Sequence, residues 1–132
     1  MPESRFVLDT NAVIFLTTKG NIIPSNLLDE LNEADLFISA ITEIELFAKP
    51  DLSPNEADQL RAFFADRIPV IDLTKTVKLE TITLRRNTKL KLPDCIIAAT
   101  AIALNAVLLT ADAELLHFHH PGYTAKTFSL KK

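Results

Sequence analysis

Phe6-Val7-Leu8-Asp9-Thr10-Asn11 is the stretch that decides the fold. Three apolar residues read as a short buried strand, and they end in an acid, a hydroxyl and an amide. The amphipathic run Ala12-Val13-Ile14-Phe15-Leu16 follows at once, with no Gly-rich loop between. A strand that turns straight into a helix is the opening unit of an α/β sheet. In open sheets of that kind ligands bind outside the carboxyl ends of the strands, so Asp9 stands where chemistry is expected. Taken alone, Asp9 or Thr10 can equally serve as the N-cap of the next helix. The positions of three further carboxylates bear on that choice.

Beyond this stretch the chain alternates between short apolar runs and amphipathic ones. Arg5–Leu8 reads as the first strand, followed by a helix from about Asn11 to Thr18 that Lys19-Gly20-Asn21 breaks. Pro24, at a first-turn position, opens a helix through Leu31. Leu36-Phe37-Ile38 is a buried strand, and Ser39 or Ala40 leads into a helix over 41–48 that Pro50 stops. Ser53 with Glu56 forms a capping box, with Pro54 in the first turn of the helix that follows. Ile68–Ile71 is a third strand whose proline suggests an edge. Residues 74–87 form a mixed helix, and Pro93 opens a nearly all-apolar helix to about Leu104, the pattern of a central buried element. Asn105 ends it, Ala106–Leu109 is a fourth strand, Ala113–Leu116 a short helix, and Thr127–Leu130 a last strand. The expected architecture is a single α/β domain over residues 1–132, a mostly parallel sheet with helices on both faces.

Length and composition agree with one globular domain: 132 residues, 48% hydrophobic and 23% charged. No cationic leader precedes a hydrophobic segment, and the longest apolar stretch, Ile96 to Ala111, is too short to span a membrane. The single cysteine, Cys95, suits a reducing compartment and reads as core. A cytoplasmic protein is expected. The net charge of −3 argues against a nucleic-acid partner until its distribution is read. Residues 1–60 hold eleven acids and three bases; residues 61–132 hold six acids and eleven bases. Lys75, Lys78, Arg85, Arg86, Lys89 and Lys91 face a single acid, Glu80, within that run. A basic face beside an acidic pocket suits an enzyme acting on phosphates; the alternative is a solvated helix face.

Asp9, Asp94 and Asp112 each sit just after a strand or at a helix start, and Glu45 lies on the helix after the second strand. In a parallel sheet such positions converge along one edge. Each acid has an ordinary structural role open to it: Asp94 on a helix dipole, Asp112 as a cap, Glu45 as an exposed helical acid. Ile41 and Ala48 bracket Glu45 at helical spacing, which places it, rather than Glu43, beside the buried seam. Four carboxylates in one pocket repel one another and raise their own pKa values, so a hard divalent cation is expected among them. Mg²⁺ or Mn²⁺ takes oxygen ligands and favours phosphate substrates.

Asp9-Thr10-Asn11 after a first strand, Thr42-x-x-Glu45-Leu46, Leu92-Pro93-Asp94 followed by Ile96-Ile97-Ala98-Ala99-Thr100-Ala101, and Thr110-x-Asp112 together resemble the PIN-domain ribonucleases, above all the VapC-like toxins of bacterial toxin–antitoxin pairs. Pro121-Gly122 extends the likeness. The resemblance implies that Asp9, Glu45, Asp94 and Asp112 form the acidic, metal-holding tetrad, with Asn11, Thr110 and Glu114 in support; Glu114 stands where many relatives carry Asp. Ala111 departs from the polar or basic residue common in relatives. The resemblance further implies a Mg²⁺- (or Mn²⁺-) dependent endoribonuclease leaving a 5′-phosphate, a homodimer, and a small cognate antitoxin covering the site. Arg85, Arg86 and Lys89 are the residues expected to hold the RNA backbone.

Rival readings fare worse. A haloacid-dehalogenase-type phosphatase wants a second Asp where Asn11 stands, and a receiver domain wants paired acids where Thr10 and Asn11 stand. With only Gly20 and Gly122, the chain has no Gly-rich phosphate loop. His117, His119 and His120 have no second cluster to complete a zinc site and suit a surface loop. The alternative from another class is a non-catalytic PIN-like domain that binds RNA or a protein.

Overall fold

The computed structural model describes residues 4–18, 20–65 and 67–128. In chain order the elements are β1 (Arg5–Leu8), α1 (Thr10–Thr17), α2 (Ser25–Asn32), β2 (Asp35–Ser39), α3 (Ala40–Phe47), α4 (Pro54–Ala65), β3 (Val70–Ile71), α5 (Lys75–Asn87), α6 (Leu92–Leu104), β4 (Val107–Leu109), α7 (Ala113–His117) and β5 (Thr124–Lys126). The strands form one sheet, parallel at every pairing, in the order β3-β2-β1-β4-β5. From β1 the chain builds outward through β2 to β3, then returns to lay β4 and β5 on the other side. That reversal makes the gap between β1 and β4 a topological switch point, where open parallel sheets bind ligands.

Successive side chains of a strand point to opposite faces, and β1 uses both. Phe6 and Leu8 pack with Ala12 and Val13 of α1, Leu27 and Leu31 of α2, Leu46 of α3 and Leu60 of α4. Val7 packs on the other face with Val77 and Leu84 of α5, Leu115 of α7 and Cys95, Ile97, Ala98, Ala99 and Ala101 of α6. The expected three layers, helices on both faces of a parallel sheet, are thus present. Cys95 through Ala101 are buried without interruption, as the all-apolar helix requires. Asn105 closes α6 in the left-handed region at φ 54°, a conformation Asn tolerates at helix ends.

Several boundaries differ from the expectation. Thr127–Leu130 was expected as the last strand, but the strand is Thr124–Lys126. Thr127 and Phe128 follow it, and residues 129 and 130 lie outside the described residues. Phe128 is buried against Phe15, with ring centroids 5.1 Å apart, so its apolar signal came from core packing and not from a ladder. β3 is an edge, as expected, but has only two residues: Pro69 has no N–H to pair and contributes its carbonyl to Ile38 N at 3.1 Å. Pro24 sits just outside α2 as its cap residue, not inside its first turn.

The capping box is present at α4. Ser53 Oγ accepts from Glu56 N at 3.1 Å, and Glu56 Oε1 accepts from Ser53 N at 2.9 Å. Ser53→Ala is expected to cost about 1 kcal/mol. A thermal melt should read that as a fall of roughly 3–5 °C. An unchanged melting temperature would show that α4 is held by its apolar face alone.

Candidate functional site

The carboxyl ends of β1 and β4 are joined across the switch point by side chains. Leu8 is in register with Leu109, and Asp9 N donates to Leu109 O at 3.2 Å. Asp9 is the N-cap of α1, its Oδ1 accepting from Ala12 N at 2.7 Å. Its Oδ2 accepts from the Thr110 hydroxyl, and Thr110 Oγ1 accepts in turn from Asp112 N at 3.1 Å. One buried hydroxyl therefore ties the acid after β1 to the acid after β4. Asp112 is itself the N-cap of α7, with Oδ1 accepting from Glu114 N and Leu115 N.

Glu45 comes from α3. It is exposed, and the buried seam of that helix runs through Thr42 and Leu46. Ile41 is half-buried and packs against the core, whereas Ala48 is exposed, so one member of the expected bracket fails although Glu45 does border the seam. The Thr10 hydroxyl donates to Glu45 Oε1, and the Thr42 hydroxyl lies 3.3 Å from that of Thr10. Asp94 stands in the first turn of α6, whose cap residue, Lys91, makes no side-chain cap. The half-buried Asp94 carboxylate makes no hydrogen bond among the described residues.

Asp9, Glu45, Asp94 and Asp112 line one open cleft of about 470 Å³, with Thr10, Asn11 and Lys49 on its wall. A larger cleft of about 630 Å³ between α1, α3 and α4 holds none of the four and shares only Lys49 with it. Burial pushes the Asp9 carboxyl above the ordinary carboxylate range. Hydrogen bonds from Thr110 and Ala12 pull it back in part, and the charges on Asp112 and Asp94 push it up again. The Asp94 carboxyl is also raised, by burial first and then by Asp112; Lys91 opposes, while Glu45 and Glu114 add to the rise. Asp94 thus shares a field with each of the other three acids, and Asp9 with Asp112.

The donor set is all oxygen, which fits a hard divalent cation and not zinc. Among the described residues no three His, Cys, Asp or Glu side chains stand ready-made around one ion. Mg²⁺ is commonly held by one or two carboxylates together with waters and substrate phosphate, not by an all-protein cage, and an open acidic cleft suits that mode.

Asn11 is exposed on the cleft wall. Glu114 is exposed and off the wall, reaching Asp94 only through its charge. Arg85 and Arg86 are exposed in the last turn of α5, and Lys89 is exposed in the connection to α6. α5 and α6 pack together across that four-residue link, so these bases, with Lys91, lie at the Asp94 end of the pair. Lys75 and Lys78 stand in the first turn of a helix about 20 Å long, so the basic run extends from the Asp94 end of the pair toward the other end. Cys95 is buried, as expected. His117 and His119 are exposed, while His120 is half-buried, 3.9 Å from Glu80 and accepting from Gly122 N.

Thr10, Thr42 and Lys49 were not expected at the site. Thr10 had a signal in its place beside Asp9. Lys49 lines the cleft and the buried Thr42 meets Thr10 because α3 packs against α1, which spacing along the chain does not reveal.

Residues 6–120 match the PIN domain family. The chain belongs to that family. No curated protein matches the chain. Among solved structures, this PIN domain is similar to VapBC2 from Rickettsia felis bound to a DNA fragment from its promoter, at 23% identity and TM-score 0.76, covering 95% of this chain and 99% of that one. It is similar to DNA-bound VapBC from Salmonella typhimurium at 24% identity and TM-score 0.72, covering 96% and 99%. A toxin–antitoxin complex from Klebsiella pneumoniae matches at 25% identity and TM-score 0.70, covering 89% and 94%.

Proposed function

We propose that this PIN domain is a Mg²⁺- or Mn²⁺-dependent endoribonuclease and the toxin of a toxin–antitoxin pair. The observation that carries the reading is the convergence of Asp9, Glu45, Asp94 and Asp112, from four separate elements, on one cleft at the switch point. Holding mutually repelling acids together costs stability, and a cation with its phosphate substrate returns it. The similarity to solved toxin–antitoxin complexes supports a cognate antitoxin as partner. A homodimer and a cytoplasmic location belong to the same proposal. Among the described residues no helix is long and apolar enough to cross a membrane.

Asp9, Asp94 and Asp112, with Glu45, are the residues that would hold the cation. When bound, it supplies charge stabilisation of the phosphodiester and a more acidic water. Thr110 fixes the spacing of Asp9 and Asp112, and Thr10 fixes Glu45. Lys49 adds a positive charge on the cleft wall for an incoming phosphate. Asn11 offers an amide there that can donate to a phosphate or accept from a sugar hydroxyl. Cleavage of total RNA by the purified protein, present with Mg²⁺ and absent with EDTA, tests the reading. Metal-independent binding of RNA without cleavage would favour the non-catalytic PIN-like alternative.

Arg85 and Arg86 are proposed to hold the RNA backbone outside the cleft, with Lys89 beside them. Arg85→Ala with Arg86→Ala should weaken binding and flatten its salt dependence by about 1.4 in the log–log slope, at about 0.7 per contact to a single strand. Binding measured across a salt series decides this. An unchanged slope would make the end of α5 a solvated face or a subunit contact.

A further inference from the structure

We infer that Tyr123 is a positioning residue for Asp112, setting the cation affinity of the cleft through the short helix α7. The inference rests on the metal-site reading of the cleft. α7 has five residues, too few to hold its shape unaided. Its amino end is fastened by Asp112 Oδ1, which accepts from Glu114 N and Leu115 N. Its carboxyl end leaves carbonyls without helical partners. Among these, Leu115 O accepts from the Tyr123 hydroxyl.

The loop after α7 is shaped to deliver that hydroxyl. Tyr123 N donates to His120 O at 3.0 Å, closing a turn over Pro121-Gly122. Gly122 N donates to His120 Nδ1 at 3.0 Å. The Tyr123 ring packs on Phe118 with centroids 4.2 Å apart, just beyond the last turn of α7. Tyr123 therefore clamps the carboxyl end of the helix whose amino end orients Asp112. No hydrogen bond among the described residues falls on the second Asp112 oxygen, which is left to the cleft that Asp112 lines. The phenol also lies within the electrostatic field of the acids. Burial raises its pKa first, and the charges on Asp9, Asp112 and Asp94 raise it further.

Removing the hydroxyl while keeping the ring loosens α7 without emptying the packing against Phe118. The two amides that hold Asp112 Oδ1 then wander, and the carboxylate loses its fixed direction. Residues that orient a metal ligand from behind commonly change metal affinity by about 10–100-fold.

The test uses the full chain as wild type, Tyr123→Phe, Asp112→Asn and the double variant. Amide exchange in EDTA should speed up at Glu114 and Leu115 in Tyr123→Phe by roughly tenfold, the loss of about one hydrogen bond. In a Mg²⁺ titration followed by thermal melting, Tyr123→Phe should shift the Mg²⁺ midpoint upward about tenfold. In the Asp112→Asn background it should shift it no further, because the route through Asp112 is already gone. A lower melting temperature with an unshifted midpoint would make Tyr123 a prop for the fold and overturn the inference. So would unchanged exchange at Glu114 and Leu115, or an equal shift in the Asp112→Asn background. If wild type shows no Mg²⁺ response, the metal reading falls and the inference with it; a responsive wild type matched by Tyr123→Phe overturns the inference alone.

Discussion

Asp94→Asn is expected to lower RNA cleavage by about a hundredfold or more, the scale of losing one charge-stabilising group in an active site, while the protein stays folded. Asp94 stands in the first turn of α6, next to a run of seven buried residues that fixes its backbone. Its carboxylate caps nothing, so an amide of the same shape takes no bond from the helix. The folded protein already disfavours the ionised form, through burial first and through Asp112 next. The metal-free variant should therefore melt at or above the wild-type temperature at neutral pH. If Asp94 served only the helix dipole, losing the charge would cost about 0.3–1 kcal/mol, and cleavage would be untouched. The two readings differ in the sign of the stability change as well as in activity. Near-wild-type cleavage by the purified variant would remove Asp94 from the site.

Much of the site was legible because its acids sit where strands end, and strand ends are read from short apolar runs. Sequence posed Asp9 as either cap or ligand, and Asp112 likewise. The structure shows that one carboxylate has two oxygens for two tasks: Asp9 Oδ1 caps α1 while Oδ2 meets Thr110, and Asp112 Oδ1 caps α7. Capping by one oxygen is therefore compatible with the proposed ligand role. Lys49, and the meeting of Thr42 with Thr10, stayed hidden because they depend on how α1 and α3 pack, and no local pattern encodes that approach. The basic run is a different case. It is continuous in sequence, but the length of α5 separates Lys75 and Lys78 from the bases near Asp94. β5 has three residues and lies at the sheet edge, whereas the apolar signal lay further on at Phe128, whose burial is tertiary.

Asp9→Asn should separate metal binding from capping by melting curves alone. In EDTA at neutral pH the ionised Asp9 of wild type is buried beside Asp112 and Asp94, and the desolvation outweighs the hydrogen bonds from Thr110 and Ala12. A carboxyl raised in the folded state binds its proton more tightly there than in the unfolded chain. The resulting penalty is absent below the ordinary carboxylate pKa of about 3.9 and complete once pH has passed the raised value. Metal-free wild type should thus lose stability across that interval, and Asp9→Asn should lose less. The amide keeps the cap, since its oxygen can still accept from Ala12 N. Thr110 must turn to accept from the new NH₂ while still accepting from Asp112 N, which a hydroxyl with two lone pairs permits. The unpartnered Thr110 proton costs about 1 kcal/mol, set against a desolvated charge that is gone. Above the raised value, the variant should therefore match or exceed wild type without metal. Added Mg²⁺ should stabilise wild type by about 2.7 kcal/mol at a hundredfold excess over Kd, and the variant by much less, because it lacks one oxygen ligand for a hard cation. A pure cap predicts equal curves throughout, Asn being as good a cap as Asp. Equal Mg²⁺-induced shifts in the two proteins would exclude Asp9 as a ligand and leave the switch-point cleft without its central acid.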